Sequence, residues 1–321
     1  MKSYSINIIL LSLILTACSD QGNMIETWQH EDIGSYASAI SPDGRFLMTG
    51  SIGGYGRVWD LKNNKVLYSI QHEESDEGGV LDAAFSADSK VLVTIEHQSI
   101  ARWNMSDGRL TGYWKWPDLK KVAISADGRY ALIGMKVRQA IYFDMVAGKM
   151  IYVFPHHEKM TAVALSKDGR FALTGADDWN ASLWNLKTGK HIWSKNMNYK
   201  IANVTLSDNG EYALVNAYIK DANIYSTNKA GTLISSLEDK RMTVVSADFS
   251  DNNKLLAVGR AAKSINIYDV KTGKKIKGWR PKVKHLVQPD SATILDLKFG
   301  KNAKTLVSES STGIGQLWSL E

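Results

Sequence analysis

Residues 161–194 read TAVALSKDGRFALTGADDWNASLWNLKTGKHIWS, and the fold can be predicted from this segment. Four short runs of apolar and β-branched residues alternate with tight-turn residues, a pattern typical of β-strands. Gly169 is free to take the positive φ that such a turn needs. The stretch therefore predicts four short antiparallel strands, at residues 161–166, 171–175, 181–185 and from 191 onwards.

The same arrangement recurs along the chain and carries two marks. The first is a turn of the Ser-x-Asp-Gly type after an apolar strand, found in recognisable form at 41–44, 86–89, 125–128, 166–169, 207–210, 250–253 and, most altered, 300–303. The second is an aromatic residue followed by a small or acidic polar residue, as in Trp59-Asp60, Trp103-Asn104, Phe143-Asp144, Trp184-Asn185, Tyr225-Ser226, Tyr268-Asp269 and Trp318-Ser319. Successive aromatic residues lie 40 to 44 residues apart, except for a last interval of 50. Seven copies at this spacing predict a repeat architecture.

These repeats resemble those of the WD-repeat family, whose period is about 40–45 residues. The resemblance covers residues 24–321 and implies an all-β fold, a seven-bladed β-propeller of four-stranded antiparallel blades. The family's Gly-His pair before the first strand is absent, since His72, His157 and His285 follow other residues. We therefore expect the family's buried His-Asp-Ser-Trp hydrogen-bond network to be incomplete. A generic propeller built from other repeats is the alternative.

The last repeat supplies only three strands, predicted at residues 294–299, 305–308 and 315–319. Residues 25–29 precede the first repeat and look like the outer strand of a blade. We expect them to complete blade seven, so that both ends of the propeller share one sheet and no open β-edge remains at the junction. The alternative is a disordered N-terminal arm.

The N-terminal residues predict export and a lipid anchor. An apolar stretch at residues 6–15 follows Lys2 and is shorter than the ~20 residues that span a bilayer, as is typical of a secretory signal. Leu15-Thr16-Ala17-Cys18 then resembles the lipobox of bacterial lipoproteins. The resemblance implies a signal peptide at 1–17, a lipidated Cys18 that begins a short tether at 18–23, and a propeller at 24–321. The alternative is a plain signal peptide with a chance cysteine.

The residues after Cys18 bear on where the protein is sorted and how it is oriented. By resemblance to the enterobacterial sorting rule, Ser19 rather than Asp after the lipidated cysteine favours the outer membrane over the inner. We call the side with the Ser-x-Asp-Gly turns the bottom face, and the side with the loops between second and third strands the top face. Residues 19–23 reach at most about 18 Å. In the WD-repeat family the fourth strand of a blade runs from the bottom face to the top, so the resemblance implies that the tether leaves near the bottom rim of blade seven. We therefore expect this rim near the bilayer and the top face pointing away.

Composition argues against several kinds of site. Cys18 is the single cysteine, which excludes an intrachain disulfide and zinc sites of four cysteines or of two cysteines and two histidines. The formal charge of +6 is modest over 321 residues and does not argue for nucleic-acid binding. His156-His157-Glu158 is the best metal-like cluster, but adjacent side chains on an extended segment point opposite ways. We expect no metal and no cofactor.

No catalytic set is evident. The chain has no Gly-x-Ser-x-Gly elbow, and Asp177-Asp178 suits a structural carboxylate beside a solvated one. The inner strands begin mostly with small or apolar residues. We therefore expect a membrane-anchored protein–protein interaction scaffold of the cell envelope rather than an enzyme. The alternative is a propeller enzyme or small-ligand binder that uses the central channel.

The top loops vary in length and charge, and loops usually carry function. An acidic block at residues 72–77 and a connection at residues 280–290, cationic near its start, could polarise one sector of the top face; otherwise both are solvated loops. Aromatic and Arg residues are favoured interface anchors. We expect a monomeric propeller that contacts a protein partner through Tyr55, Arg138, Trp179, Tyr218, Arg260, Arg280, Lys282 and Lys284.

Overall fold

Seven four-stranded antiparallel sheets form the blades of a β-propeller. The computed structural model describes residues 23–52, 54–72, 79–281 and 292–321. The inner strand of each blade contacts the inner strand of the next, and that of blade seven contacts that of blade one, so the ring is closed. The predicted all-β, seven-bladed fold is confirmed.

The strands follow the repeats in order. Strand β1 (Asn23–Gln29) precedes blade one, which contains β2 (Ser35–Ile40), β3 (Phe46–Ser51), β4 (Gly56–Asp60) and β5 (Lys65–Ile70). Blades two and three contain β6 (Asp82–Phe85), β7 (Val91–Ile95), β8 (Ser99–Asn104), β9 (Leu110–Lys115), β10 (Leu119–Ile124), β11 (Tyr130–Met135), β12 (Gln139–Asp144) and β13 (Lys149–Pro155). Blades four and five contain β14 (Met160–Leu165), β15 (Phe171–Ala176), β16 (Asn180–Asn185), β17 (His191–Asn196), β18 (Ile201–Leu206), β19 (Tyr212–Ala217), β20 (Ala222–Ser226) and β21 (Leu233–Ser236). Blade six contains β22 (Val244–Phe249), β23 (Leu255–Arg260), β24 (Ile265–Asp269) and β25 (Lys275–Trp279), and blade seven contains β26 (Ile294–Phe299), β27 (Thr305–Ser310) and β28 (Ile314–Ser319).

The recurrent serine turn has a common hydrogen-bond pattern on the bottom face. In blade four, the Ser166 hydroxyl donates to Asp168 Oδ1 at 2.6 Å and accepts from the amide of Phe171 at 3.0 Å. Gly169 has φ 73°. Blade seven lacks the hydroxyl because Gly300 replaces the serine, and the turn becomes a short 3-10 helix at Lys301–Ala303. This substitution explains why the seventh copy of the motif is the most altered.

The ring closes as the sequence predicts. Strand β1 pairs with β28 in an antiparallel register that places Trp28 opposite Gly315 and Asn23 opposite Ser319. The Trp28 side chain is 5% exposed and belongs to a buried cluster with Leu47 of blade one. The N-terminal segment is therefore the outer strand of blade seven, and it begins at the bottom face.

The apolar core lies between neighbouring blades. Ile100 of β8 and Ile133 of β11 belong to one buried cluster between blades two and three, and comparable clusters fill the other junctions. Each blade thus packs both of its faces against neighbours, leaving the loops and outer strands exposed. Over the described ranges, no helix has the length and apolarity to cross a membrane.

Candidate functional site

The loop that leads into blade four is fixed by a chain of buried polar side chains. His156 Nδ1 lies 3.0 Å from Asp178 Oδ2, and His156 Nε2 lies 2.8 Å from Thr174 Oγ1. The Trp184 indole donates to the same Thr174 oxygen at 2.8 Å. Burial lowers the pKa of His156, whereas the charge of Asp178 and its hydrogen bond to the ring raise it. A neutral ring satisfies every partner if Nδ1–H donates to Asp178 and Nε2 accepts from the threonine hydroxyl.

This arrangement corrects the expectation that the His-Asp-Ser-Trp network is incomplete. In blade four it is complete, with Thr174 in the serine position. The histidine is His156 rather than His157, whose side chain is exposed. Asp178 is the structural carboxylate, as expected. The expectation that its neighbour is solvated is wrong, because the Asp177 side chain is only 10% exposed and lies within ion-pair distance of Lys159 and Lys200. The network does not need a glycine before the histidine, which is why a search for Gly-His missed it.

Other blades hold their incoming loop by related means. In blade two, His72 Nε2 lies 2.9 Å from Thr94 Oγ1, which accepts from the Trp103 indole at 2.8 Å. In blade one a carboxylate takes the place of the histidine: the Thr49 hydroxyl donates to Glu31 Oε1 at 2.8 Å. These bonds hold the top-face loops in position on the rigid blades.

The predicted contact residues that the structure describes occupy three parts of the top face. Trp179 and Tyr218 are exposed on adjacent blades four and five, and Arg138 is exposed on blade three. Tyr55 is on blade one, where the Arg57 guanidinium lies 4.4 Å from its ring centroid. Arg260 ends the second strand of blade six and is half-buried.

The remaining predicted contacts lie in the connection between blades six and seven. Arg280 is exposed directly after β25. Lys282 and Lys284 lie outside the described residues, as do most of the acidic block at 72–77 and Cys18, the predicted lipidation site. The structure therefore places Arg138, Trp179 and Tyr218 on the same face of three consecutive blades. The polarised-sector hypothesis stays a prediction.

Exposed large apolar side chains are unevenly distributed over the two faces. On the described top-face loops they are Ile33, Ile52, Tyr55, Val137, Trp179, Tyr199, Tyr218 and Ile219, whereas on the described bottom-face turns Val146 is the single example. Trp179 is 46% exposed and Ile219 is 65% exposed. Both have positive φ, 73° and 54°. Such backbone is costly for large or β-branched residues and is concentrated at functional sites.

A lysine cluster that sequence reasoning missed lies beside these residues. Lys159 and Lys200 each approach Asp177 Oδ2, at 3.5 and 3.7 Å, and Lys120 is close enough for Asp177 to influence its pKa. Lys159 and Lys200 directly precede the inner strands of consecutive blades. Their equivalent places in adjacent repeats were the available sequence signal, but the repeat comparison followed turns and aromatic residues rather than charges.

The central channel contains a cavity of about 370 Å³, lined by the inner strands and by Tyr218. Carboxylates within it bond across blade boundaries. Asp296 accepts from the Ile40 amide at 2.7 Å, and Asp82 accepts from the Val122 amide at 2.9 Å. Burial raises the pKa of Asp296 to about 7. These carboxylates join neighbouring inner strands.

Within the described part of the chain, no group of three or more His, Cys, Asp or Glu side chains is placed to hold a metal ion. At His156-His157-Glu158, the first histidine is directed into the blade-four network and the other two side chains are exposed. The three residues therefore do not converge.

Comparison with known proteins agrees with the architecture. Residues 22–60 and 148–185 match the family model described as WD domain, G-beta repeat. No curated protein matches the chain. The two matched stretches end with the third strands of blades one and four. They include Thr49 and Thr174, which belong to the buried hydrogen-bond networks of these blades. Together with the seven four-stranded blades, they identify a WD-repeat β-propeller, a fold that is commonly a non-enzymatic interaction scaffold.

Proposed function

We propose that this WD-repeat β-propeller is a protein–protein interaction scaffold of the bacterial cell envelope, held in the membrane by lipid on Cys18 and binding a protein partner through its top-face loops. One observation carries the proposal: large apolar side chains are exposed on the described top-face loops but almost absent from the described bottom-face turns. Exposed apolar and aromatic side chains on rigid loops are typical of binding surfaces.

The direction of β1 supports the proposed orientation. Asn23 lies opposite Ser319 at the bottom end of blade seven. A lipid on Cys18 would therefore tether the bottom rim and leave the apolar top face free for a partner. An outer-membrane location follows the sorting preference set by Ser19.

In situ photocrosslinking tests the partner site. The full-length chain is expressed with p-benzoylphenylalanine in place of Ile219, or in place of Val146 as the matched control, since both residues are exposed and apolar but lie on opposite faces. We expect a discrete higher-mass adduct with another envelope protein from position 219 and none from position 146. Ile52 and Trp179, which are also exposed on the top face, are replaced in the same way. Absence of an adduct from all three top-face positions, or equal adducts from position 146, would argue against a top-face partner site.

A further inference from the structure

Lys120 presents a half-buried ammonium group to the mouth of the central channel. Within the described ranges the ammonium group has no hydrogen bond or ion pair, and Asp177 is the carboxylate whose charge acts on its pKa. Burial lowers the pKa of Lys120, and three neighbouring lysines lower it further. An unpaired, partly desolvated cation is costly in a folded protein unless a ligand compensates it.

The surrounding charges leave this cost uncompensated. Lys159 and Lys200 already share Asp177, while the neighbouring Lys121 is paired with Asp82 at 3.3 Å. Three ammonium groups, those of Lys120, Lys159 and Lys200, therefore interact with the charge of one carboxylate. Their mutual repulsion disfavours the cluster in the free protein and favours an anion at the channel mouth.

Apolar side chains are attached to the same loops as the lysines. The Tyr218 amide donates to the Lys200 carbonyl at 3.0 Å, and the Tyr218 side chain lines the channel cavity together with Lys120. The Trp179 carbonyl accepts from the Met197 amide at 2.9 Å, which ties the blade-four loop to the connection carrying Tyr199 and Lys200. Cationic and apolar groups are thus presented side by side.

We propose that the top face of blades three to five binds an acidic segment of a protein partner, with carboxylates at Lys120, Lys159 and Lys200 and an apolar side chain against Trp179 and Tyr218. The inference rests on the proposed function and adds the chemistry of the partner. A protein segment fits better than a small free anion because a small anion would leave Trp179, Tyr199 and Ile219 uncovered. Complementary charge would also speed association.

Peptide selection tests this chemistry without knowledge of the natural partner. Purified residues 19–321 are used to select from phage-displayed random decapeptides, and the most enriched sequence is synthesised with a fluorescent label. We expect enriched peptides to combine several Asp or Glu residues with an aromatic or aliphatic one. Replacing the acids with Asn and Gln should weaken binding by about tenfold or more in fluorescence anisotropy.

A matched pair of triple variants assigns the binding to the cluster. Lys120→Gln/Lys159→Gln/Lys200→Gln should lose about tenfold or more in affinity. Lys62→Gln/Lys187→Gln/Lys271→Gln removes the same charge from exposed bottom-face turns and should change affinity less than about twofold. The melting temperature of Lys120→Gln should be unchanged or higher, because the substitution removes repulsion; a purely structural lysine would lower it.

Three results with peptides would overturn the inference: selection that enriches no acidic peptide, equal affinity of the two triple variants, or displacement of the peptide by citrate or inorganic phosphate at concentrations comparable to the peptide's own. The last result would assign the cluster to a small free anion. If the adduct from position 219 persists in Lys120→Gln/Lys159→Gln/Lys200→Gln, the proposed scaffold function stands but the proposal of an acidic partner is wrong.

Discussion

Trp28 on β1 lies opposite Gly315 on β28, so the first and last described strands are neighbours in one blade. The two paired segments are separated in sequence by nearly the whole length of the propeller. It also buries the indole between blades seven and one, in a cluster that includes Ile40 and Val307. Closure of the ring therefore depends on both backbone pairing and this side chain.

Trp28→Ala should lower the free energy of unfolding by about 3–5 kcal/mol, the usual cost of removing a buried tryptophan. Trp28→Phe should cost less, since the indole N–H has no hydrogen-bond partner among the described residues. Urea denaturation measures both. Ile25→Ala on the same strand, at a side chain that is 55% exposed, is the control and should stay within about 0.5 kcal/mol. Deleting residues 24–30 should cause a larger loss, and an unchanged melting curve would contradict strand closure.

Thr174→Val should destabilise the protein by about 1–3 kcal/mol, because the Trp184 indole and His156 would lose their shared buried oxygen. Thr174→Ser retains the hydroxyl and should cost less than Thr174→Val. Chemical denaturation of the two variants separates loss of the hydrogen bonds from loss of the methyl group. Equal stability of Thr174→Val and the unsubstituted protein would show that the polar chain does not support blade four.

His72 should make stability depend on pH. Burial lowers the pKa of His72 to about 4, from an ordinary value of 6.5. Between these values the unfolded chain binds a proton that the folded protein does not. This contribution is therefore present above pH 6.5 and is lost as the pH falls toward 4. This difference between the pKa values of His72 in the unfolded and folded states corresponds to about 3 kcal/mol in the free energy of unfolding.

The measurement compares the free energy of unfolding from pH 4 to 7 in the unsubstituted protein and in His72→Gln. The unsubstituted protein should show the steeper rise of stability with pH. Glu309, whose pKa is raised by burial, contributes with opposite sign in both proteins and cancels in the difference. Parallel profiles would contradict a buried neutral His72.

Lipidation of Cys18 is tested by metabolic labelling with palmitate. We expect label in the unsubstituted chain and none in Cys18→Ala, because Cys18 is the only cysteine. Fractionation should place the unsubstituted protein with the outer membrane and release Cys18→Ala from it. Equal labelling of both proteins would reject the anchor.

The repeat, the blade count and the closing strand could be predicted because their signals are local. Ser166, Asp168 and Gly169 specify a turn through their own hydroxyl, carboxylate and backbone freedom, wherever the blade lies. The three-stranded last repeat and the unpaired strand at residues 25–29 then predicted their pairing by elimination. Side-chain networks were harder to predict, since His156 acts through its distance to Thr174 and Asp178 rather than through its sequence neighbours.

The closed ring of seven blades could be predicted from the amino-acid sequence, since strand periodicity and turn chemistry are encoded within each repeat. Which charged side chains lie close together, in contrast, depends on how the blades are arranged in the ring. Lys120, Lys159 and Lys200 belong to three consecutive repeats, about 40 residues apart, and appear there as ordinary surface lysines. The ring brings the starts of their inner strands to one channel mouth, where burial and mutual repulsion make them a candidate site. Electrostatic interactions depend on distance and desolvation, and folding sets both.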